Sequence, residues 1–364
     1  MSISTSVVPE QIPQNNQAWA DRLRNWATIL VITIHVSGPV AHNNTEYNTW
    51  YWWSANLWDS FARPSVPLFI MLSGFLLLGK DYPLGNFLKR RFSRVAIPWL
   101  FWSVVYSIYN HLSTNDPATF KDAFLHLIQN QVHYHLWFIY LILGLYLTYP
   151  ILNPWVRSAR EEDFWYFFTL AALGTWVYKA LSQGFDIHIG LYFELFTNQV
   201  GTFVLGYYLG TKFTATGAPG ERISPWPVSH KQLLWISVAL IVLGTAATAY
   251  GTFWASTTRG NVFNSFFYDY LTPNVGLNAA GWFIFAQLMF QRPALFDFEK
   301  EFAAASFGIY FIHVLVLDWW SKSGYWAYKF HPAKCIPIII CLVSLMSFLW
   351  IILIRALPGG KKIT

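Results

Sequence analysis

The sequence has little charge, and this shortage limits the solvent in which the chain can fold. Only 12% of its 364 residues are Asp, Glu, Lys or Arg, whereas 55% are hydrophobic. Ordinary soluble domains carry about 25% charged residues, so a soluble fold of this length would lack charges to cover its surface. The 20 Trp and 20 Tyr suit the membrane–water interface, where amphipathic rings are favoured. Together these features predict an integral membrane protein.

Several patterns typical of soluble enzymes are also missing. The sequence contains no Walker A motif, no Rossmann glycine fingerprint, no HExxH motif and no G-x-S-x-G nucleophile elbow. Its two cysteines, Cys335 and Cys341, share one apolar stretch at a spacing that indicates neither a zinc site nor a disulfide. The net charge of +6 is spread over short segments between apolar runs, so we expect no nucleic-acid partner. We likewise expect no metal and no permanently bound cofactor.

Ten runs of roughly 20 mostly apolar residues are long enough to cross a bilayer as helices. They cover approximately residues 22–41, 58–79, 93–112, 135–152, 164–182, 191–211, 231–251, 267–290, 302–320 and 335–356. We therefore predict an all-α bundle of about ten transmembrane helices. The predicted divisions are a polar N-terminal segment at 1–21, a transmembrane domain at 22–356 and a basic C-terminal tail at 357–364.

The basic residues are distributed unevenly between the two sides of this bundle. When the links are assigned alternately to the two sides, most of the 24 Lys and Arg residues share the side of the N-terminus. The positive-inside rule then places both termini in the cytoplasm, which agrees with an even number of helices. Residues 1–20 lack the basic and apolar runs of a cleaved signal peptide, so we expect the first helix to be retained.

The first predicted helix carries two ionisable side chains at membrane depth. Arg24 and His35 are eleven residues apart, about three turns and roughly 16 Å along one helix face. Arginine suits phosphate or carboxylate, and a neutral imidazole can take a proton from a hydroxyl. Such residues indicate a functional site by default. The alternatives are an arginine that snorkels to the headgroups and a histidine bonded to a neighbouring helix.

A basic cluster follows the second predicted helix, in GNFLKRRFSRVAIPW. Lys89, Arg90, Arg91 and Arg94 fall within six positions. If this segment is helical, Arg91 and Arg94 share a face and can hold a polyphosphate. Basic clusters of this kind also serve topology and bind anionic lipids, so both interpretations stay open.

Polar and aromatic residues recur in other predicted helices. Ser73 and Gly74 allow either close helix packing or a cavity wall. His133, His135 and Trp137 open the fourth predicted helix, while Tyr310 and His313 lie one turn apart in the ninth. The first outer loop is rich in Trp and amides, which favours an interfacial aromatic belt over a sugar-binding surface.

Five segments, in order, resemble those of a known family. They are RLRNWATILVITIH, RPSVPLFIMLSGFLLLG, KRRFSRVAIPW, YHLWFIYLILGLYLTYP and SFGIYFIHVLVL. The chain resembles the membrane-bound acyltransferase 3 family from about residue 20 to 355. Within that family it looks most like the branch that contains the enterobacterial common antigen O-acetyltransferase.

The resemblance implies an activity and its partners. The family transfers an acyl group, usually acetyl from acetyl-CoA, to a hydroxyl of a cell-envelope glycan. We therefore expect acyl-CoA as co-substrate, a glycan or lipid-linked saccharide as acceptor, and membrane lipid around a protein of the bacterial inner membrane. No SGNH-type domain is appended, so the membrane domain itself would complete the transfer.

The family's motifs match this chain residue by residue. The matched residues are Arg24 and His35, Ser73 with Gly74 and Phe75, Arg91 and Arg94, and Tyr310 and His313. Asn25 departs from the pattern, because the family often has glycine after the first-helix arginine.

These matches imply a role for each candidate residue. His35 is expected to act as general base, with Arg24 positioning the donor; an acyl-histidine intermediate is the other possibility. We expect the CoA phosphates to be bound by Arg90, Arg91 and Arg94. The residues expected to line the substrate site are Ser73, Trp137, Tyr310 and His313.

Two other function classes compete with an acyltransferase. A proton-coupled exporter or flippase of a polar or lipid-linked molecule would use His35, Glu194 and His313 as a relay. Transporters often contain repeated halves, and the sequence has no clear repeat. A membrane assembly or sensing subunit would tolerate loss of His35. The enzyme interpretation is preferred over both.

Overall fold

The computed structural model describes residues 18–114, 120–129, 132–184, 198–212, 228–258, 260–291, 297–322 and 330–364. Over these ranges the chain is helical and contains no strand. The helices are α1 Ala18–Asn43, α2 Trp50–Ala62, α3 Ser65–Leu77, α4 Leu84–Thr114, α5 Phe120–Ile128, α6 Trp137–Ser158, α7 Glu161–Ala172, α8 Val200–Lys212, α9 His230–Thr258, α10 Pro273–Met289, α11 Asp297–Lys322 and α12 Pro332–Ala356. Two π-helical stretches, Leu173–Val177 and Ala180–Gly184, follow α7, and 3-10 turns form at Phe266–Tyr268 and Gly360–Lys362.

Five helical segments in the described ranges are long and apolar enough to cross a membrane. They are Trp50–Leu77, which contains α2 and α3, together with α6, α9, α11 and α12. The all-helical membrane character is thus confirmed. The count of ten spans, the cytoplasmic termini and the domain limits stay predictions. Glu194 and the first third of the sixth predicted run lie outside the described residues.

The second predicted helix begins earlier than the sequence indicated. Thr49 caps α2 by accepting a hydrogen bond from the backbone N–H of Trp52 at 3.3 Å. Because Pro64 has no N–H, the run of backbone hydrogen bonds in α2 ends there, and α3 starts at Ser65. The prediction that Trp50, Trp52 and Trp53 lie in a loop was therefore wrong, because all three lie in α2. Trp52 is fully buried and donates to the carbonyl of Ala41 at 3.0 Å, so its ring is packed inside the protein.

Helix α4 also starts before the predicted span, at Leu84. The basic cluster is therefore helical, which satisfies the condition under which Arg91 and Arg94 share a face. A hydropathy window misses such polar first turns because it averages charge against the apolar residues that follow. The short helix α5 was missed because it is too short to span a bilayer.

Helices α3 and α8 pack at backbone distance. A Cβ built on Gly74 would lie 1.8 Å from the carbonyl oxygen of Phe203, and one built on Gly206 would lie 2.0 Å from that of Met71. No side chain larger than hydrogen fits at either position. The packing interpretation thus holds for Gly74. Its neighbour Ser73 faces the other way, into a cavity.

Candidate active site

A cavity of about 690 Å³ opens among α1, α3, α4, α6, α11 and α12. It brings together residues that lie far apart in the sequence. The predicted site residues in its lining are Arg24, His35, Ser73, Arg91, Arg94, Trp137 and Tyr310. Arg24 and His35 therefore do share one face of α1. Arg90 and His313 are outside the lining.

One end of the cavity is strongly basic. Arg91 and Arg94 reach it from consecutive turns of α4, and Arg24 reaches it from α1. Arg24 is held by Asp21, which accepts from its guanidinium at 2.5 Å. Neither Arg91 nor Arg94 has an ion-pair partner in the described part of the chain. The pKa of Lys80, which is outside the cavity lining, is lowered mainly by burial and to a smaller extent by the charge of Arg91.

Asn25 has a structural role that explains the departure from the family pattern. Its side-chain amide donates to the backbone carbonyl of Glu299 at 2.8 Å. Arg22 pairs with the carboxylate of the same glutamate at 3.0 Å. The start of α1, which carries Arg24, is thereby fixed to the start of α11.

The other end of the cavity holds a group of histidines around His35. The ring of His35 lies 5.1 Å from that of His313 and 5.3 Å from that of Tyr134, centre to centre. Among the described residues, none is within hydrogen-bond distance of its ring nitrogens. His35 is also only partly buried, so its imidazole is accessible from the cavity.

His313 is fully buried behind the cavity wall. Its Nδ1 lies 2.7 Å from the carbonyl oxygen of Tyr310. A carbonyl only accepts, so Nδ1 carries the proton and Nε2 presents a lone pair. That Nε2 is buried without a hydrogen-bond partner among the described residues. An unsatisfied acceptor of this kind is costly, and it belongs to the ring whose centre is 5.1 Å from that of His35.

His135 belongs to the same group, although it is not among the site residues predicted from the sequence. It lines the cavity, is 2% exposed, and places its ring 5.6 Å from that of His313. Its Nδ1 is 3.0 Å from Nδ1 of His133, while its Nε2 is buried without a partner in the described ranges. The available signal was its position two residues before Trp137, at the start of a membrane helix.

Tyr310 and Trp137 support this end of the cavity. The hydroxyl of Tyr310 donates to the backbone carbonyl of His135 at 2.5 Å, which ties α11 to the segment before α6. The ring of Trp137 stacks on that of Tyr270, with centres 5.7 Å apart and an interplanar angle of 24°. Both aromatic residues thus line the cavity with fixed orientations.

A buried ion pair near the break between α2 and α3 was not predicted. Asp59 is fully buried and pairs with Arg63 one turn later. The guanidinium of Arg63 also lies 4.0 Å above the ring of Tyr268, a cation–π contact. The sequence signal was the i,i+4 spacing of opposite charges. Arg63 is only 9% exposed and is packed inside the protein.

The acyltransferase 3 family model, described as an acyltransferase domain, matches residues 17–356, nearly the whole chain. No curated protein and no solved structure matches.

Proposed function

Since the chain belongs to the acyltransferase 3 family, we propose that it is a membrane O-acyltransferase that uses acyl-CoA. The acyl group is acetyl, and the acceptor is a hydroxyl of a cell-envelope glycan or lipid-linked saccharide, as in the branch of the family that the sequence resembles. The supporting observation is the cavity itself, which joins a group of cations to a group of histidines.

The basic end suits the phosphates of the donor. Two arginines on one helix face form charge-assisted, bidentate hydrogen bonds to phosphate, and Arg91 and Arg94 are available for them. Arg90 does not line the cavity, so it acts at longer range, by attracting the anionic donor. The apolar wall beyond, which includes Leu76 and Phe138, suits the uncharged pantetheine arm with its terminal thioester.

The histidine end suits the transfer step. Neutral His35 takes the proton of the acceptor hydroxyl while the oxygen attacks the thioester carbonyl carbon. The carbon–sulfur bond then breaks, and the CoA thiolate receives the proton that His35 holds. In the alternative route a nitrogen of His35 attacks first, CoA leaves, and the hydroxyl accepts the acyl group from the acyl-histidine.

His313 orients His35 in either route. Its Nδ1 proton is used by the carbonyl of Tyr310, so Nε2 is the ring nitrogen of His313 that can accept a hydrogen bond, and the two ring centres are 5.1 Å apart. The structure has no hydrogen bond between the two rings; during the reaction His35 turns and donates a ring N–H to that lone pair, which leaves the opposite nitrogen of His35 unprotonated. That nitrogen is then the base or nucleophile, and a second orienting group of this kind is typical of such sites.

The acceptor enters beside Trp137 and Tyr270. A stacked aromatic pair offers a flat apolar face for a sugar ring. Ser73 adds a hydroxyl to the lining of the same cavity. These groups define the substrate-binding end of the proposed enzyme.

The test uses purified protein in nanodiscs with radiolabelled acetyl-CoA and a glycan extract. We expect His35→Ala to abolish transfer with CoA binding retained, and Arg91→Ala to weaken CoA binding. The matched controls are His230→Ala and Arg160→Ala, which change exposed residues outside the cavity, and both should behave as wild type.

Self-labelling of the wild type that is lost in His35→Ala would select the acyl-histidine route. If the wild type neither binds nor consumes acetyl-CoA or succinyl-CoA, the acyltransferase proposal is wrong. Gradient-coupled transport assays would then examine the exporter alternative.

A further inference from the structure

The C-terminal turn, residues 357–364, brings additional cations to the basic end of the cavity. Lys361 and Lys362 line the cavity, together with Thr364 and with Arg355 from the last turn of α12. They face the same space as Arg91 of α4. The sequence predicts this segment only as a basic tail, and none of the family motifs includes it.

The turn has a defined conformation. Gly359 adopts a left-handed φ of 82°, which favours glycine. A Cβ on Gly360 would lie 1.7 Å from the carbonyl oxygen of Ile354, so the next position also requires glycine. The indole N–H of Trp102 in α4 donates to the carbonyl of Ile363 at 2.9 Å. The two lysines are thereby fixed beside the helix that carries the arginines.

These cations have no acidic partner in the part of the chain that the structure describes. Some cations elsewhere on the surface are paired, as in Lys300 with Asp297 and Arg157 with Asp81. Arg355 even has a buried Nη1 without a hydrogen-bond partner. No acidic side chain is among the described residues that line the cavity. Like charges held together without a counter-ion repel, so this arrangement favours an anionic ligand.

We propose that the C-terminal turn is a second phosphate subsite, which binds a phosphomonoester; this inference rests on the proposed acyl-CoA donor. CoA carries a pyrophosphate next to the pantetheine arm and a 3′-phosphate on the ribose at the far end. Because Lys361 and Lys362 line the cavity that contains His35 and are also exposed, the far end of CoA can reach them when the thioester reaches His35. A terminal phosphate of an anionic lipid has the same chemistry, and the experiment below separates the two sources.

The experiment compares CoA with 3′-dephospho-CoA. Both are used as competitors of radiolabelled acetyl-CoA on full-length protein in phosphatidylcholine nanodiscs. We expect the wild type to prefer CoA about tenfold, which corresponds to about 1.4 kcal/mol. The double variant Lys361→Gln/Lys362→Gln should lose this preference, because it weakens the binding of CoA and leaves that of 3′-dephospho-CoA unchanged. The control variant Lys300→Gln should keep the preference.

A second variant tests the geometry of the turn. Gly360→Ala keeps both lysines but displaces the turn, so it should reduce the preference for CoA to a similar extent. Retention of the full preference in the double variant would refute the subsite, although acetyl-CoA binding by the wild type would still support the proposed function. Failure of the wild type to bind either compound would instead refute the proposed function.

The lipid source is tested in the same format. Phosphatidic acid, whose terminal phosphate is a monoester, is added to the nanodiscs, and its enrichment around the wild type and the double variant is measured. If the lysines affect only lipid enrichment and leave the CoA preference unchanged, the turn binds anionic lipid and the donor subsite is refuted. If lipid enrichment is equal around the wild type and the double variant, and the double variant has lost the preference for CoA, the result supports the subsite.

Discussion

The replacement His313→Phe tests the most specific part of the proposed mechanism. Phenylalanine keeps a planar ring in the fully buried position, 5.1 Å from that of His35 between ring centres, but removes the Nε2 lone pair. Without that acceptor the proposed hydrogen bond cannot form, and His35 is not held in one tautomer and orientation during the reaction. One buried hydrogen bond contributes about 0.5–1.5 kcal/mol, and general base catalysis contributes about 10²–10⁴-fold. We therefore expect kcat to fall roughly tenfold to hundredfold.

The assay separates orientation from binding. Steady-state release of CoA from acetyl-CoA gives kcat and KM, and His313→Phe should lower kcat while the KM for acetyl-CoA changes less than about twofold. The reason is that the proposed phosphate contacts come from Arg91 and Arg94, at the opposite end of the cavity. His313→Gln, which can both donate and accept, should recover part of the rate. An unchanged kcat in His313→Phe, or a loss confined to KM, would refute this reasoning.

Two further predictions concern stability. Gly74→Ala should lower the free energy of unfolding by about 1–3 kcal/mol, because the alanine methyl group would overlap the carbonyl of Phe203. Thermal unfolding in detergent measures this loss. The matched control is Gly85→Ala, because a Cβ at that position meets nothing within 4 Å. Equal stability of the two variants would contradict the close packing. Asp59→Asn should cost about 3–5 kcal/mol because it leaves the buried cation of Arg63 uncompensated. The double variant Asp59→Asn/Arg63→Met should recover most of this loss, and a double variant as unstable as the single one would argue against the pair.

Properties that depend on local geometry could be predicted from the sequence. Low charge and long apolar runs indicated a helical membrane protein, because the bilayer requires every backbone polar group to be satisfied within the chain. The spacing of Arg24 and His35 placed them on one face of a helix, and the spacing of Arg91 and Arg94 did the same. The cavity contains both pairs. These relations depend on a helical period that neighbouring elements do not change.

The boundaries of helices with polar ends could not be predicted in this way. Helix α4 starts at Leu84 and α2 at Trp50, in both cases several residues before the apolar window. The side chain of Thr49 satisfies a backbone N–H at the start of α2, and solvent can satisfy the free backbone groups at the start of α4. Hydropathy alone does not detect either contribution.

The tertiary structure alone decided which residues from different helices meet. It placed His313 and His135 beside His35, paired Asp59 with Arg63 in the interior, and returned the C-terminal turn to the basic end of the cavity. Each of these depends on how helices pack against one another, which is set by small residues such as Gly74 and by side-chain shape across interfaces. The sequence by itself therefore determined the class of protein and the residues on each helix face. Packing determined which of those faces enclose the site.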